Sequence, residues 1–245
     1  MRLLSYNIHK GIGGRDRVYR LERIIGVIRQ EDPDLICLQE VDCNVARTRH
    51  DDQPRRLAEE LHANAQMYQL NVKARGEGGY GNLLLSRWPI RQSSQVSLRL
   101  NWRKPRGAQL AVIETPEGPM HLVHWHLGLA ERERRWQVKH LLANPTFQEF
   151  ANLPTMIVGD FNDWLNTLAR WSFKRHGFSQ ITAPRRRFRS FPAVLPVISL
   201  DKVFVRGAFE HCQARIVRSR LTRDASDHLP VVVDFHLKPV PHSQV

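Results

Sequence analysis

Four runs in the middle of the chain decide its fold: GNLLLS (81–86), QVSLRL (95–100), AQLAVIET (108–115) and MHLVHWHL (120–127). Clusters of Gly, Pro and Asn separate them, and their alternating or β-rich texture predicts adjacent antiparallel strands. Working outward, RLLSYNI (2–8) reads as a short strand, and DLICLQEV (34–41) and TMIVG (155–159) as apolar strands. Further strands are expected at 198–205, 211–218 and 230–237. Residues 19–30 carry Leu21, Ile24, Ile25 and Ile28 at helical spacing, and Pro33 ends that helix. Helices are also expected over 54–62, 130–142 and 164–176. In the helix over 130–142, ERERR (131–135) reads as a solvated face, with Trp136 and Leu141 turned inward. No repeat or linker interrupts the pattern. It predicts one α/β domain over 1–238, with stacked mixed sheets covered by helices, and a frayed tail over 239–245.

Composition narrows the class. A chain of 245 residues with 42% hydrophobic and 25% charged residues is globular rather than disordered. Cys37, Cys43 and Cys212 form neither a disulfide framework nor a zinc motif. The longest apolar runs are too short to cross a bilayer, and the start has no signal-peptide core, so a cytoplasmic protein with no transmembrane segment is expected. A monomer is expected as well. Thirty-seven Lys and Arg against 24 Asp and Glu leave a formal charge of +13. Such a balance suits a phosphate-bearing partner: DNA or RNA, an anionic phospholipid surface, or a small phosphorylated substrate. The segment RRRFR (185–189) is either a solvated basic loop or a contact through its Phe. Lys104 and Arg106, just before a strand, are placed to reach a substrate phosphate.

Polar residues fall where strands end. Asn7 and Glu40 lie near the ends of the first two strands, and His126 closes the fourth quoted run, on the same face as His124. Asp160 and Asn162 follow TMIVG. Asp201 sits inside an otherwise apolar strand, where an unpaired carboxylate is costly. Asp227 and His228 precede the last strand. Each has a bland alternative as a turn, cap or structural residue. Together they offer hard oxygen ligands and two histidines without a thiolate cluster, which favours Mg²⁺ or Mn²⁺ and metal-assisted attack of water on a phosphate ester. The turn KGIGG (10–14) lacks the spacing of a phosphate loop and reads as a flexible rim of the pocket. GDFND (159–163) imitates a calcineurin-like phosphoesterase motif, but HWH (124–126) precedes it where that family requires it to follow.

The ordered blocks SYNIH (5–9), LQEV (38–41), HLG (126–128), GDFN (159–162), SLDKVFV (199–205) and SDHLP (226–230) resemble the endonuclease/exonuclease/phosphatase superfamily. That superfamily includes DNase I, inositol phosphate phosphatases and sphingomyelinases. The resemblance implies a DNase I-like four-layer αββα sandwich of two packed mixed sheets, with the site at one end. It implies that Glu40 holds the metal, with Asn7 and Asp227 at the metal site and Asn7 as an orienting or phosphate-contacting amide. It gives Asp160 and Asn162 the attacking water and phosphoryl group, pairs His228 with Asp201, and places His126 on the phosphate or leaving group. The expected function is a Mg²⁺-dependent phosphoesterase. Nucleic acid is the first substrate class, lipid or inositol phosphate the second, and a noncatalytic nucleic-acid or membrane binder the remaining alternative. The general base is left between Asp160 and His228.

Overall fold

The computed structural model of the chain describes residues 1–74, 76 and 78–238; the tail over 239–245 lies outside the described residues. The first sheet joins β1 (Arg2–Asn7), β2 (Leu35–Cys43), β3 (Ala65–Lys73), β4 (Gly79–Ser86), β11 (Phe209–Ile216) and β12 (Val231–Leu237) in the order β11-β12-β1-β2-β4-β3. The second joins β5 (Ile90–Ser97), β6 (Gly107–Thr115), β7 (Gly118–His126), β8 (Thr155–Asp160), β9 (Ser179–Gln180) and β10 (Asp201–Arg206) in the order β5-β6-β7-β8-β10-β9. The pairs β1–β2 and β7–β8 are parallel, and the other neighbours run antiparallel. The expected run of adjacent antiparallel strands therefore holds only in part. Residues 81–86 belong to the first sheet, and the chain crosses at Arg87–Pro89 into the second. β5 also ends at Ser97, so the last three residues of QVSLRL leave the sheet.

Period-two alternation builds the layers. Leu3, Leu35, Cys37, Leu84, Leu122, Met156, Val158, Val203, Val231 and Val233 point between the sheets and form one buried cluster. Their neighbours Leu4, Tyr6, Ile36, Leu38, Leu83 and Val232 face outward under α1 (Leu21–Glu31), α2 (Gln53–Glu60) and α5 (Arg220–Ala225). On the far side, Leu110, Val123, Trp125 and Ile157 pack beneath α3 (Glu131–Leu142) and α4 (Pro145–Glu149). The result is the αββα sandwich that the resemblance implies.

Two helical expectations need correction. Glu133 and Arg134 of the charged run are buried, because Arg134 donates a hydrogen bond to the Leu129 carbonyl and so ties the incoming loop to α3. Trp136 is only half-buried and stacks on His140 at 4.7 Å, leaving Val138 and Leu141 to face the core. The helix expected over 164–176 is present from Thr167 to His176 but is irregularly wound, passing from Thr167–Leu168 into a π-helical turn (Ala169–Phe173) and a 3-10 turn (Lys174–His176), while residues 164–166 form a turn before it. Asp163 helps to start the bend by accepting from the Thr167 and Leu168 amides.

Gly159 shapes the strand that carries Asp160. Its φ of +140° is a conformation reserved for glycine, and a Cβ there would lie 2.0 Å from the Trp125 carbonyl oxygen of β7. Gly159→Ala is expected to destabilise the chain by about 3 kcal/mol or more, read from urea unfolding. A midpoint equal to that of the wild type would contradict this placement.

Candidate active site

Strand register assembles the site. His126 of β7 is paired with Asp160 of β8, and Asp160 with Asp201 of β10, so the three side chains stand in a row across the second sheet. Asn7 ends β1 on the facing sheet, and its amide nitrogen donates to Asp160 Oδ2 at 3.2 Å. His126 Nε2 lies 3.3 Å from that oxygen and His228 Nε2 3.8 Å from it. The other carboxylate oxygen of Asp160 accepts from the Asn162 backbone N–H at 2.9 Å, and the Asn162 side chain donates to the Leu127 carbonyl. Every one of these side chains is at least nine-tenths buried.

The dyad implied by the resemblance is present. His228 Nδ1 and Asp201 Oδ2 are 2.9 Å apart, and Ser190 donates to the same carboxylate oxygen at 2.5 Å. Burial pulls the His228 imidazole down, but Asp201, Asp160 and Asp227 outweigh it and hold its pKa up at about 10. Asp160 moves up to about 6, chiefly because burial penalises its charge. His126 stays neutral: burial, then Arg106, lower its pKa far below the ordinary imidazole value. His124, on the same face as predicted, serves another purpose. It accepts from Gln39 at 2.7 Å and donates to Gln109 at 2.8 Å, forming a buried polar bridge between the sheets beneath the site.

Glu40 reaches the cleft through an irregularity. The pairing of β2 with β4 shifts between Leu38 and Val41, and Glu40 has φ +57°. Its carboxylate pairs with the Lys10 ammonium. Burial raises its pKa, yet the Lys10 ammonium, with Arg106 behind it, more than offsets this, so it remains ionised. The KGIGG turn is not a loose rim. A Cβ on Gly14 would meet the Asp227 Cα at 2.7 Å, and Ser226 donates to the Asn7 carbonyl, so the turn is packed against the segment carrying His228.

The donor set fits a hard cation. Among the described residues no group of three or more His, Cys, Asp or Glu converges as a ready metal cage. Glu40 is an ionised oxygen donor at the cleft, and no thiolate accompanies it. A cation held through one carboxylate, with water and substrate oxygens completing its shell, is the usual habit of Mg²⁺. The Asn7 side-chain oxygen Oδ1 accepts from the His9 backbone N–H and the side-chain nitrogen Nδ2 donates to Asp160, which makes Asn7 a positioning group in this arrangement. Asp227 stands beside the site, with Oδ1 3.9 Å from His9 Nδ1.

Lys104 and Arg106 also converge here. Both bear electrostatically on His126, and Arg106 bears on Glu40 as well. Lys104 lies over the Tyr80 ring at 5.1 Å, beside Lys10 at 5.2 Å and Arg47 at 5.3 Å. Arg106 is buried, its Nε has no hydrogen-bond partner, and it lines a cleft of about 590 Å³ together with Lys73 and Arg99. The sequence reading missed Lys10 as the partner of Glu40, Ser190 as a support of Asp201, and Tyr80. Buried Lys202 was missed too; it donates to the Asp163 and Ser199 carbonyls and so ties together the loops before and after the site. Only Lys10 left a signal, as part of the KGIGG rim.

A carboxylate held by an amide and flanked by two histidines thus stands at one end of an αββα sandwich. The sequence profile of the Endonuclease/Exonuclease/phosphatase family matches residues 4–228, and the chain belongs to that family. Its members are hydrolases acting on phosphoester bonds, nucleases and phosphatases among them. The chain is 28% identical over 245 residues, 96% of each chain, to the uncharacterized protein YbhP of Escherichia coli. Its fold is similar to that of an endonuclease/exonuclease/phosphatase from Beutenbergia cavernae, with TM-score 0.77 and 24% identity over 97% of this chain and 71% of that one. It is also similar to a mannosyl-6-phosphatase from Bacteroides thetaiotaomicron, with TM-score 0.72 and 17% identity over 97% of this chain and all of the other.

Proposed function

We propose that this chain is a metal-dependent hydrolase of phosphoric esters that works by in-line attack of water. The observation that carries the reading is the convergence of Asn7, His126 and His228 on Asp160 Oδ2 within 3.2–3.8 Å. Asp160, with a pKa near neutrality and its oxygens fixed by Asn7 and Asn162, accepts the proton of the attacking water. His228 keeps its own proton at neutral pH, which disfavours it as the base. As an imidazolium it donates to the phosphoryl oxygens while negative charge builds on them. Neutral His126 supplies a second donor beside it. Bound at Glu40, Mg²⁺ would neutralise phosphoryl charge. Lys104 and Arg106 extend the positive field beyond the reacting phosphate, which suits an ester that carries further negative charge or lies on a charged surface. A purely binding protein would gain nothing from burying Asp160, Asp201 and His228 in one network.

The deciding experiment is a hydrolysis screen of nucleic acids, phospholipids, inositol phosphates and sugar phosphates, with Mg²⁺ or Mn²⁺ and with EDTA. EDTA is expected to stop turnover. Millimolar Mg²⁺ is expected to raise the melting temperature of the wild type but not that of Glu40→Gln. An equal shift in both proteins would remove Glu40 from the metal site.

A further inference from the structure

The loops that surround the catalytic end carry an unusual combination of exposed apolar and basic side chains. Their position follows from the topology. The ends of β1, β2, β7 and β8 and the starts of β10 and β12 hold the site residues, so 98–106, 127–130, 161–168 and 181–200 all emerge at that end. Among the described residues, seven large apolar side chains are at least 50% exposed, and all seven lie on these four segments. Trp102, 88% exposed, tips the first and Leu129 the second. Trp164 and Leu165 stand on the third, and Val194, Leu195 and Val197 on the fourth.

The same segments hold eight basic residues, four in 98–106 and four in 181–200, against one acid, the buried Asp163. The basic segment 185–189 turns Phe188 into the inter-sheet core, so its four exposed arginines, and not its ring, face outward. Arg185 donates to the Trp164 carbonyl at 2.8 Å, tying the two loops together. Between them opens a cleft of about 310 Å³ lined by Trp164, Leu165 and Val197 together with Arg185, Arg186 and Arg189.

We propose that these four loops form a docking surface for an anionic lipid membrane, which holds the mouth of the site against the headgroup plane. Apolar tips that enter the acyl boundary, with arginines between them at headgroup depth, match the two components of interfacial binding. Tryptophan belongs at that depth. A nucleic-acid strand explains the surface less well. Bases stack on aromatic rings, and five of the seven exposed side chains are Leu or Val, which gain by leaving water and offer no stacking face. The consequence, that the scissile ester lies at a lipid surface, rests on the phosphoesterase reading above; the docking itself does not.

The test uses the full chain with vesicles of phosphatidylcholine alone or with about one-third phosphatidylglycerol, read by flotation and by quenching of tryptophan fluorescence with brominated lipid. Partitioning onto the anionic vesicles is expected to exceed that onto neutral ones at least about tenfold. Trp102→Ser combined with Leu165→Ser and Leu195→Ser, all on the surface, is expected to weaken it about tenfold or more. Hydrolysis of a soluble chromogenic phosphodiester by this variant should equal that of the wild type. Three results would overturn the proposal: no wild-type binding to anionic vesicles, binding indifferent to the triple substitution, or a single-stranded oligonucleotide that displaces the protein from the vesicles. Vesicle docking without hydrolysis of any ester would overturn the phosphoesterase reading and leave the docking intact.

Discussion

His228→Ala and Asp160→Asn are each expected to fold as the wild type does and to lose at least about a hundredfold in kcat. The two changes act on opposite sides of one network. Removing the imidazolium deletes the donor aimed at the phosphoryl group and leaves Asp160 and Asp201, neighbours across β8 and β10, without the cation between them. Asp160 then holds its proton more tightly, so the acid limb of the residual activity should move above pH 6. Asp160→Asn keeps the shape of the side chain and an oxygen able to accept from the Asn162 amide, but it cannot take up a proton. Circular dichroism and the urea midpoint report folding, and single-turnover rates on the substrate found by the screen report chemistry. Turnover of either variant at the wild-type rate would eliminate the assignment of base and donor.

Much of this network is legible in the sequence because it obeys the shortest periodicity in proteins. A strand that is apolar on alternate residues and then ends in a polar one puts that residue at the rim of the same face. Asn7 follows Leu3 and Ser5 inward, His126 follows Leu122 and His124, and Asp160 follows Met156 and Val158. Asp201 was conspicuous for the converse reason, a carboxylate in an apolar run, and its partner is His228. What escaped was set by contacts distant in sequence. The Lys10–Glu40 pair depends on a break in the β2 register and on a turn held by residues more than 200 positions away. Ser190 lies in a stretch with no periodicity, and the apolar tips at 194–197 read only as irregular chain. The charged run of α3 misled because composition cannot show that a preceding loop folds back over Glu133 and Arg134.

Charge follows the same division. Basic residues are divided almost evenly along the sequence, 19 in residues 1–122 and 18 in 123–245, and so point to no region. Folding brings eight of them, on two of the four loops at the catalytic end, to one place with one buried acid among the four, which gives the net charge a direction. The field is thus aimed at whatever approaches the mouth of the site, where Arg106 and Lys104 continue it inward to His126.

Asp201→Asn should separate orientation from charge. In the wild type, kcat/KM is expected to rise with pH through about 6 as Asp160 ionises, and to fall near pH 10 as His228 loses its proton. Asparagine can still accept from Nδ1, so the ring keeps its place, but the largest influence holding its proton is gone. The descending limb should therefore move by several pH units toward the ordinary imidazole range. At pH 8 the rate should fall by up to about thirtyfold, while at pH 6 much of it survives. Stability carries the same signature. The folded pKa of His228 lies above its unfolded value of 6.5, so its contribution is complete below pH 6.5 and is lost as pH rises through about 10. Urea unfolding should show Asp201→Asn destabilised by about 3–5 kcal/mol at pH 6, with the gap narrowing markedly by pH 10.5. A gap that stays constant with pH, together with an unmoved descending limb, would mean that Asp201 supports only the packing and leaves the charge of His228 to Asp160.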